Sequence, residues 1–264
     1  MTDQWFEKHP GLRFERRDHG VLWMIIDRPE KLNATDASLH RSLSRVWDDI
    51  DDDDAVDVVV VTGAGEAFSA GGDMEWIESF VGDYEGVSRV FDEASDVVYR
   101  MLACRKIIIS AINGVAVGAG LAVALMADIS LMSEDAKITD GHVRIGVGAG
   151  DHANIIWPLL CGMAKAKYYL LTADFIDGAT ADRIGLVSRS VPGEELLDEA
   201  EKVAMKIAAG PRDAIRWTKR SLNLWVKQAA PAFDASAAME MLSFLGPEAA
   251  EGVAAMREKR RPSY

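Results

Sequence analysis

The sequence predicts an α/β fold in which strands, glycine-rich turns and helices alternate, followed by a helical C-terminal region. Short apolar, β-branched runs recur along the chain, each bounded by turn residues. Glycine-rich turns follow several of these runs and lead into apolar helical patterns. From Glu194 onward, helical patterns dominate. We therefore expect a layered core that carries the active site in residues 1–192 and a helical region in residues 193–264.

The first elements follow from a change in hydrophobic period. Residues 21–27, VLWMIID, form an apolar run that ends at an Arg-Pro pair, which predicts a strand. From Thr35, where Thr35 or Asp36 can cap a helix start, apolar residues recur at helical spacing. These residues are Leu39, Leu43, Val46 and Ile50. Residues 56–61 are β-branched apart from Asp57 and predict the next strand.

The same order recurs in the middle of the chain. Residues 107–112 predict a strand, residues 113–120 a turn and residues 121–126 a helix. Residues 129–132 predict another strand, and residues 154–160 begin a further helix. In such a fold the chemistry lies on the turns, because loops carry functional groups on a rigid scaffold.

Composition excludes several classes of protein. The chain has 42 acidic and 29 basic residues and a net charge of −13, which argues against binding to nucleic acid. The two cysteines, Cys104 and Cys161, show no metal-ligand spacing and fit a reducing compartment. The N-terminus lacks a secretory pattern, and the apolar residues 112–127 are too few to span a bilayer. The sequence therefore predicts a soluble, cytoplasmic protein without a metal, nucleic-acid or membrane partner.

Two glycine-rich turns carry the first functional signal. They are FSAGGD, residues 68–73, and NGVAVGAG, residues 113–120. Glycine lets backbone N–H groups approach a ligand closely, because no Cβ shields them. Two such groups aimed at one point form an oxyanion hole, although glycines also serve merely to permit tight turns.

Together with other segments, these turns make the chain similar to the crotonase (enoyl-CoA hydratase/isomerase) superfamily. The matching segments are RPEKLNA (residues 28–34), VVTGAGEAFSAGGDM (60–74), KIIISAINGVAVGAGLAVALMADI (106–129), ATADRIGLVSRSV (179–191) and MREKRRPSY (256–264). The resemblance implies a repeated ββα spiral core, a helical C-terminal trimerisation region and a homotrimer or hexamer. It also implies an acyl-CoA thioester as substrate, with coenzyme A as part of that substrate and no separate cofactor.

The resemblance also implies binding residues. The backbone N–H groups of Gly72 and Ala119 fall at the two oxyanion-hole positions, and one such donor contributes about 3–4 kcal/mol to the barrier reduction. Segments 28–34 and 69–74 would contact coenzyme A, and basic residues of the tail would contact its phosphates. The residues at these places are Lys31, Leu32, Ala70, Met74, Lys259, Arg260 and Arg261.

The chain departs from the hydratases of this superfamily at both catalytic glutamates. Ala122 stands at the first position and His142 at the second, so the two-carboxylate hydration mechanism does not transfer. His142 and Asp151 instead form a candidate pair, in which the histidine moves a proton and the carboxylate orients it. The pair resembles the dyad of 6-oxocamphor hydrolase, a branch that cleaves cyclic β-diketones without coenzyme A. The resemblance is partial, since residues 118–123 lack the further histidine of that branch.

Structural interpretations compete with these roles. Asp151 can be a helix cap, His142 a satisfied core histidine, Asp140 a turn residue and Glu75 an exposed rim residue. Aromatic residues that could line a pocket are Trp76, Phe80, Tyr84, Phe91 and Trp157.

Three hypotheses follow. The first is an enzyme that stabilises the enolate of an acyl-CoA thioester and uses His142 and Asp151 for proton transfer. The second is a hydrolase that cleaves a carbon–carbon bond of a cyclic β-diketone with the same residues. The third is a non-catalytic acyl-CoA-binding subunit.

Overall fold

Two sheets carry the strands of the chain in a computed structural model that describes residues 3–264. The six-stranded sheet has the order β1-β2-β3-β5-β7-β10 and the four-stranded sheet the order β4-β6-β8-β9. The strands are β1 (Leu12–Arg16), β2 (Val21–Ile26), β3 (Val58–Gly63), β4 (Ala67–Ser69), β5 (Ile107–Ile112), β6 (Val115–Val117), β7 (Ile129–Ser133), β8 (Lys137–Thr139), β9 (Ile176–Asp177) and β10 (Arg189–Val191).

Ten α-helices surround these sheets in the described part of the chain. They are α1 (Ala37–Asp52), α2 (Met74–Phe80), α3 (Tyr84–Ala103), α4 (Gly118–Met126), α5 (His152–Thr172), α6 (Gly178–Arg183), α7 (Leu196–Ala208), α8 (Arg212–Gln228), α9 (Ala230–Phe244) and α10 (Pro247–Arg257). Short 3₁₀ segments cover Asp3–Lys8, Asp18–Gly20, Pro29–Lys31, His142–Ile145 and Gly193–Glu195.

The strands β2, β3, β5 and β7 pair in parallel and are apolar because helices cover both faces of their sheet. Every residue of β2, β3 and β5 is buried. Three times, a strand of the large sheet is followed by a short strand of the small sheet and then by a helix. These units are β3-β4-α2, β5-β6-α4 and β7-β8-α5. The α/β fold with a repeated ββα core is confirmed.

The small sheet brings the glycine turns together. Strands β4 and β6 pair in parallel, and so do β6 and β8. The segments that leave the carboxyl ends of β4, β6 and β8 therefore lie side by side. A Cβ at Gly118 would lie 3.9 Å from the backbone nitrogen of Gly72, which measures how closely the first two turns approach.

The helices after β10 close over this edge. A Cβ at Gly252 in α10 would lie 2.4 Å from the carbonyl oxygen of Ile145. A Cβ at Gly150 would lie 2.0 Å from the carbonyl oxygen of Ser236 in α9. Only glycine permits these two approaches, so α9 and α10 pack directly on the segment that follows β8.

Helices α5, α8 and α9 expose apolar side chains. Leu159, Met163 and Leu171 of α5, Trp217, Leu222 and Trp225 of α8, and Met239 and Leu242 of α9 are more than half exposed. Assembly into a homotrimer or hexamer remains a prediction from the sequence, and this apolar surface is compatible with it. Within residues 3–264, none of the helices has both the length and the apolar character needed to span a bilayer.

Candidate active site

A cavity of about 680 Å³ lies where the two glycine turns, the segment after β8 and helix α9 meet. Its apolar wall comes from α2, α3 and the end of α9, and includes Ile77, Phe80, Val90, Val97 and Phe244. Its polar end comes from the segment after β8, the start of α5 and α9, and contains Asp140, His142, Asp151, His152 and Glu240. A mostly apolar cleft with a few convergent polar groups is typical of a small-molecule site.

Both predicted oxyanion-hole residues line this cavity. Thr35 and Gly72 form an isolated β-bridge, in which the Thr35 N–H donates to the Gly71 carbonyl and the Asp73 N–H donates to the Thr35 carbonyl. The N–H of Gly72 takes no part in this bridge. Ala119 lies in the first turn of α4, whose N–H groups have no acceptor within the helix. The φ angles of +99° at Gly71 and +55° at Gly118 set the direction of the two turns. Two backbone donors thus border the same space, and their catalytic role remains a prediction.

The residue at the first hydratase position, Ala122, is buried in α4 and also lines the cavity. Its methyl group offers no acid or base at this wall. The titratable side chains at the polar end of the cavity are grouped around His142.

His142 begins a 3₁₀ turn and contacts two carboxylates. Its Nδ1 lies 3.0 Å from Oδ2 of Asp140, and its Nε2 lies 3.5 Å from Oε1 of Glu240. Gly141, with φ of +81°, turns the chain so that residues 140 and 142 face each other. The distance of the second contact is longer than that of a normal hydrogen bond, so Nε2 remains open to a ligand or water.

Asp151 is placed beside His142, but the predicted direct pairing is wrong. Its Oδ1 lies 2.7 Å from Nδ1 of His152 and accepts a hydrogen bond from the backbone of Ala153. Asp151 thereby caps helix α5, and Asp140 is the carboxylate that orients His142. The interpretation of Asp140 as a turn residue missed this contact. Atoms of His142, Asp151 and Glu240 still lie within 4.8 Å of one another.

Glu240 is a site residue that the sequence-based predictions missed. It is 4% exposed, and its Oε2 accepts a hydrogen bond from the backbone N–H of Gly150 at 3.0 Å. A signal was available, because Phe233, Ala237, Glu240 and Phe244 form one buried face of α9. A lone glutamate on a buried helical face needs a polar partner, and this one faces His142.

The pKa values of His142, Glu240 and Asp151 depend on one another's charges. Burial lowers the pKa of His142, but the negative charges of Asp140, Glu240 and Asp151 outweigh it and hold this pKa well above 6.5. Burial raises the pKa of Glu240 to about 8, against the opposing charge of His142. Burial also opposes ionisation of Asp151, yet His152 and His142 keep its pKa well below the ordinary value. The protonation of His142 and that of Glu240 therefore depend on each other, and mutually perturbed pKa values of this kind are common at active sites.

We expect Glu240→Gln to stabilise the protein at alkaline pH. The folded protein binds this proton with a pKa of about 8 and the unfolded chain with one near 4.5, so stability from this group falls as pH rises between those values. The variant should therefore melt a few degrees above the wild type at pH 9 and match it near pH 4, as measured by circular dichroism. Glu251→Gln is the matched control, because Arg260 lowers the pKa of Glu251 to about 2. An equal gain at pH 9 in both variants would contradict the buried-proton interpretation.

A second histidine–carboxylate pair borders the same cavity and was also missed. Nδ1 of His40 lies 2.7 Å from Oε2 of the buried Glu93, and its ring centroid lies 4.9 Å from that of Trp76. Of the five aromatic residues predicted as lining, Trp76 and Phe80 line the cavity. Tyr84 is 73% exposed, Phe91 packs against the core and Trp157 is buried beneath His152.

The residues predicted to bind coenzyme A are only partly gathered at the cavity. Lys31, Ala70 and Met74 line it, whereas Leu32 is exposed outside it. The tail residues Lys259, Arg260 and Arg261 are exposed outside it as well. Arg260 is held by Glu251, with nitrogen–oxygen distances of 2.5 and 2.9 Å, and by Glu258.

Acidic side chains dominate the mouth of the cavity. Lys31 lies 4.0 Å from Asp73, and Arg257 lies 2.6 Å from Glu78, so the two cations are already paired. Glu75 makes no ion pair within residues 3–264 and lines the same rim, as the sequence predicts. An anionic ligand would meet this rim without an unpaired cation from these five side chains. One further cation, Arg144, lines the cavity without an acidic partner in residues 3–264 and donates to the carbonyl oxygen of Ala173.

The comparisons with known proteins agree with this architecture. A family model described as enoyl-CoA hydratase/isomerase matches residues 16–264. The chain is 29% identical to a probable enoyl-CoA hydratase echA8 of Mycobacterium bovis over 262 residues, which cover 94% of this chain and 95% of the relative. It is 31% identical to a crotonyl-CoA hydratase of Syntrophomonas wolfei over 256 residues, with the same two coverages of 94% and 95%.

Two solved structures are similar over nearly their whole length. A crystal structure of an enoyl-CoA hydratase/isomerase from Mycobacterium paratuberculosis has a TM-score of 0.88 and 31% identity, covering 92% of this chain and 97% of that one. A beta-diketone hydrolase from Anabaena sp. PCC 7120, bound to (S)-3-oxocyclohexyl acetic acid, has a TM-score of 0.85 and 26% identity. That match covers 92% of this chain and 98% of the other.

Proposed function

The chain belongs to the enoyl-CoA hydratase/isomerase family, and we propose that within it the protein is a hydrolase that cleaves a carbon–carbon bond of a small cyclic β-diketone. The observation that carries this proposal is the Asp140–His142–Glu240 cluster, which lines the same cavity as Ala122, the residue that stands where the hydratases of the family have a glutamate. This is the second of the hypotheses drawn from the sequence. The similarity to a beta-diketone hydrolase supports it.

In the first step, His142 activates water. Asp140 holds Nδ1 of the neutral imidazole, so that Nε2 can accept a proton from a water molecule. The surrounding carboxylates stabilise the imidazolium that forms and raise the pKa of His142, so the neutral form that acts as base becomes more populated as pH rises. The hydroxide formed attacks one carbonyl carbon of the diketone. Glu240 lies beside Nε2 and, when ionised, adds to the negative charge that stabilises the imidazolium.

In the second step, the bond between the attacked carbon and the neighbouring α-carbon breaks. Its electron pair moves onto the α-carbon and is delocalised as an enolate onto the second carbonyl oxygen. The N–H groups of Gly72 and Ala119 stabilise that oxyanion. The imidazolium then returns its proton to the α-carbon. One water is consumed, and a cyclic substrate opens to a single keto acid.

The charge at the mouth favours a neutral substrate over a coenzyme A thioester. The cations Lys31 and Arg257 are paired with acids, and Glu75 adds a further carboxylate. The third cation of the lining, Arg144, donates to the carbonyl oxygen of Ala173, and the whole chain carries −13. The phosphates of coenzyme A would have to displace these pairs. A carbocyclic diketone needs only the apolar wall and two backbone donors.

A substrate panel tests the proposal. The protein is incubated with monocyclic and bicyclic 1,3-diketones and, separately, with crotonyl-CoA, and products are identified by mass spectrometry. We expect ring-opened keto acids from at least one diketone and no hydration of crotonyl-CoA. Hydration of crotonyl-CoA without any diketone cleavage would overturn the proposal.

An acyl-CoA thioester is the second candidate substrate, because Lys31, Ala70 and Met74 line the cavity beside the oxyanion-hole residues. Relatives named as enoyl-CoA and crotonyl-CoA hydratases favour it too. In this case the same proton-transfer groups would act on the carbon next to the thioester. The third hypothesis, a non-catalytic subunit, has no observation of its own in its favour.

If coenzyme A binds, replacing Lys259, Arg260 and Arg261 with alanine should weaken its binding and flatten the salt dependence, because exposed charge pairs are screened by salt. Calorimetric titration at two salt concentrations measures both effects. Alanine at Lys202, Lys206 and Lys227, which removes three cations elsewhere, is the matched control. Equal affinity in both triple variants would exclude the tail as a phosphate site.

A further inference from the structure

The polar end of the cavity contains a set of side chains with the spacing of metal ligands. One atom each from His142, Asp151 and Glu240 lies within 4.8 Å of the other two. The three residues come from the 3₁₀ turn His142–Ile145, the cap of α5 and helix α9. Sequence spacing could not indicate this set, because its members belong to three separate elements.

Each of these residues uses one atom for a fixed partner and leaves another for a ligand. Nδ1 of His142 faces Asp140, which leaves Nε2. Oε2 of Glu240 accepts from the Gly150 N–H, which leaves Oε1. Oδ1 of Asp151 contacts His152 and the Ala153 N–H, which leaves Oδ2. Ligands held in this way by outer partners are typical of metal sites, where a carboxylate on the far nitrogen of a histidine fixes its orientation.

An unsatisfied carboxylate oxygen points to a missing ligand at the same place. Oδ1 of Asp140 is buried and has no hydrogen-bond partner within the described residues 3–264. Asp140 is 2% exposed and forms a second close set with Asp151 and His152, again within 4.8 Å. A buried oxygen without a partner is costly, and a bound cation with its water would satisfy it.

We propose that His142, Asp151 and Glu240 form a site for one divalent transition-metal ion such as Zn²⁺, with Asp140 as the partner that orients His142. One imidazole nitrogen with two carboxylate oxygens suits Zn²⁺, Mn²⁺ or Co²⁺, whereas Ca²⁺ takes six to eight oxygen ligands. Three protein ligands leave at least one position open toward the cavity for water.

The ion would compete with the proposed reaction. A metal on Nε2 of His142 occupies the lone pair that activates water, so stoichiometric Zn²⁺ should inhibit the metal-free enzyme. This part rests on the proposed function. Binding of the ion itself does not.

Calorimetric titration of Zn²⁺ into the protein, after treatment with a chelator, tests the site. We expect one ion per chain. His142→Ala and Glu240→Gln should each weaken binding at least tenfold, and Asp140→Asn about 10–100-fold as the loss of an orienting partner. Glu93→Gln is the matched control, because it alters a buried carboxylate that also holds a histidine of this cavity but lies outside the set. Its affinity should equal that of the wild type.

Co²⁺ titration of the wild-type protein gives an answer that does not depend on the folding of any variant. Binding through a nitrogen and carboxylates with fewer than six ligands should intensify the visible absorption relative to aqueous Co²⁺. An unchanged spectrum, no saturable binding of one Zn²⁺, or equal binding by folded His142→Ala protein would each overturn the site. If Zn²⁺ binds with the expected variant pattern and no diketone is cleaved, the site stands and the proposed reaction falls.

Discussion

Replacing His142 with alanine should lower turnover by about 10²–10⁴-fold, the usual contribution of a positioned general acid–base group. Ligand binding should change little, because the apolar wall and the N–H groups of Gly72 and Ala119 remain in place. His142 is the only proton-transfer group that we place between the activated water and the α-carbon. Steady-state kinetics on the cleaved diketone, together with a separate binding titration of a non-reactive ketone, measures the two effects.

The control for this prediction is His19→Asn. His19 is exposed on a turn away from the cavity and has φ of +58°, which asparagine tolerates. The His19→Asn variant should leave turnover unchanged. A His142→Ala protein that retains wild-type turnover would remove the histidine from the mechanism.

Asp140→Asn should also lower turnover by about 10²–10⁴-fold, although asparagine keeps the size of the side chain. The carboxylate accepts from Nδ1 of His142 and so leaves Nε2 free to act as base, whereas an amide can donate to Nδ1 and favour the opposite tautomer. In serine proteases, the corresponding Asp-to-Asn change costs about 10⁴-fold in kcat. We also expect an altered pH–rate profile, because a negative charge that raises the pKa of His142 is lost.

Asp151→Asn is the matched control for Asp140→Asn and should cost less. Asp151 bonds to His152 and the Ala153 N–H rather than to His142. The double variant Asp140→Asn with His142→Ala should resemble His142→Ala alone, because residues that act as a unit are not additive. A larger loss in Asp151→Asn than in Asp140→Asn would restore the pairing first predicted from the sequence.

Much of the fold could be predicted from local patterns. Residues 58–61 are all valine, and residues 107–112 are apolar apart from Ser110, because their strands are buried on both faces of a parallel sheet. The glycine-rich turns could also be predicted from the sequence, because glycine is needed where another part of the chain approaches the backbone closely. Pairing of the short strands β4, β6 and β8 was not predicted, and it is this pairing that aligns the turns.

The candidate site was harder to predict because its polar contacts depend on tertiary structure. Asp140 meets His142 only because Gly141 adopts a left-handed φ, which the letters DGH permit but do not require. Glu240 reaches the site through the close approach of α9 at Gly150, far away in the sequence. The sequence permits two interpretations of Asp151, as a helix cap and as a site residue. In the structure Asp151 caps α5 and also lies beside His142.

The most direct test of the proposed hydrolysis is a reaction in H₂¹⁸O with the best diketone of the panel, followed by mass spectrometry of the product. We predict one ¹⁸O atom from solvent in the new carboxylate of a ring-opened keto acid, and about 10²–10⁴-fold slower formation of this product with His142→Ala. Recovery of unopened diketone, together with a solvent ¹⁸O in the hydroxyl group of hydrated crotonyl-CoA, would contradict the account.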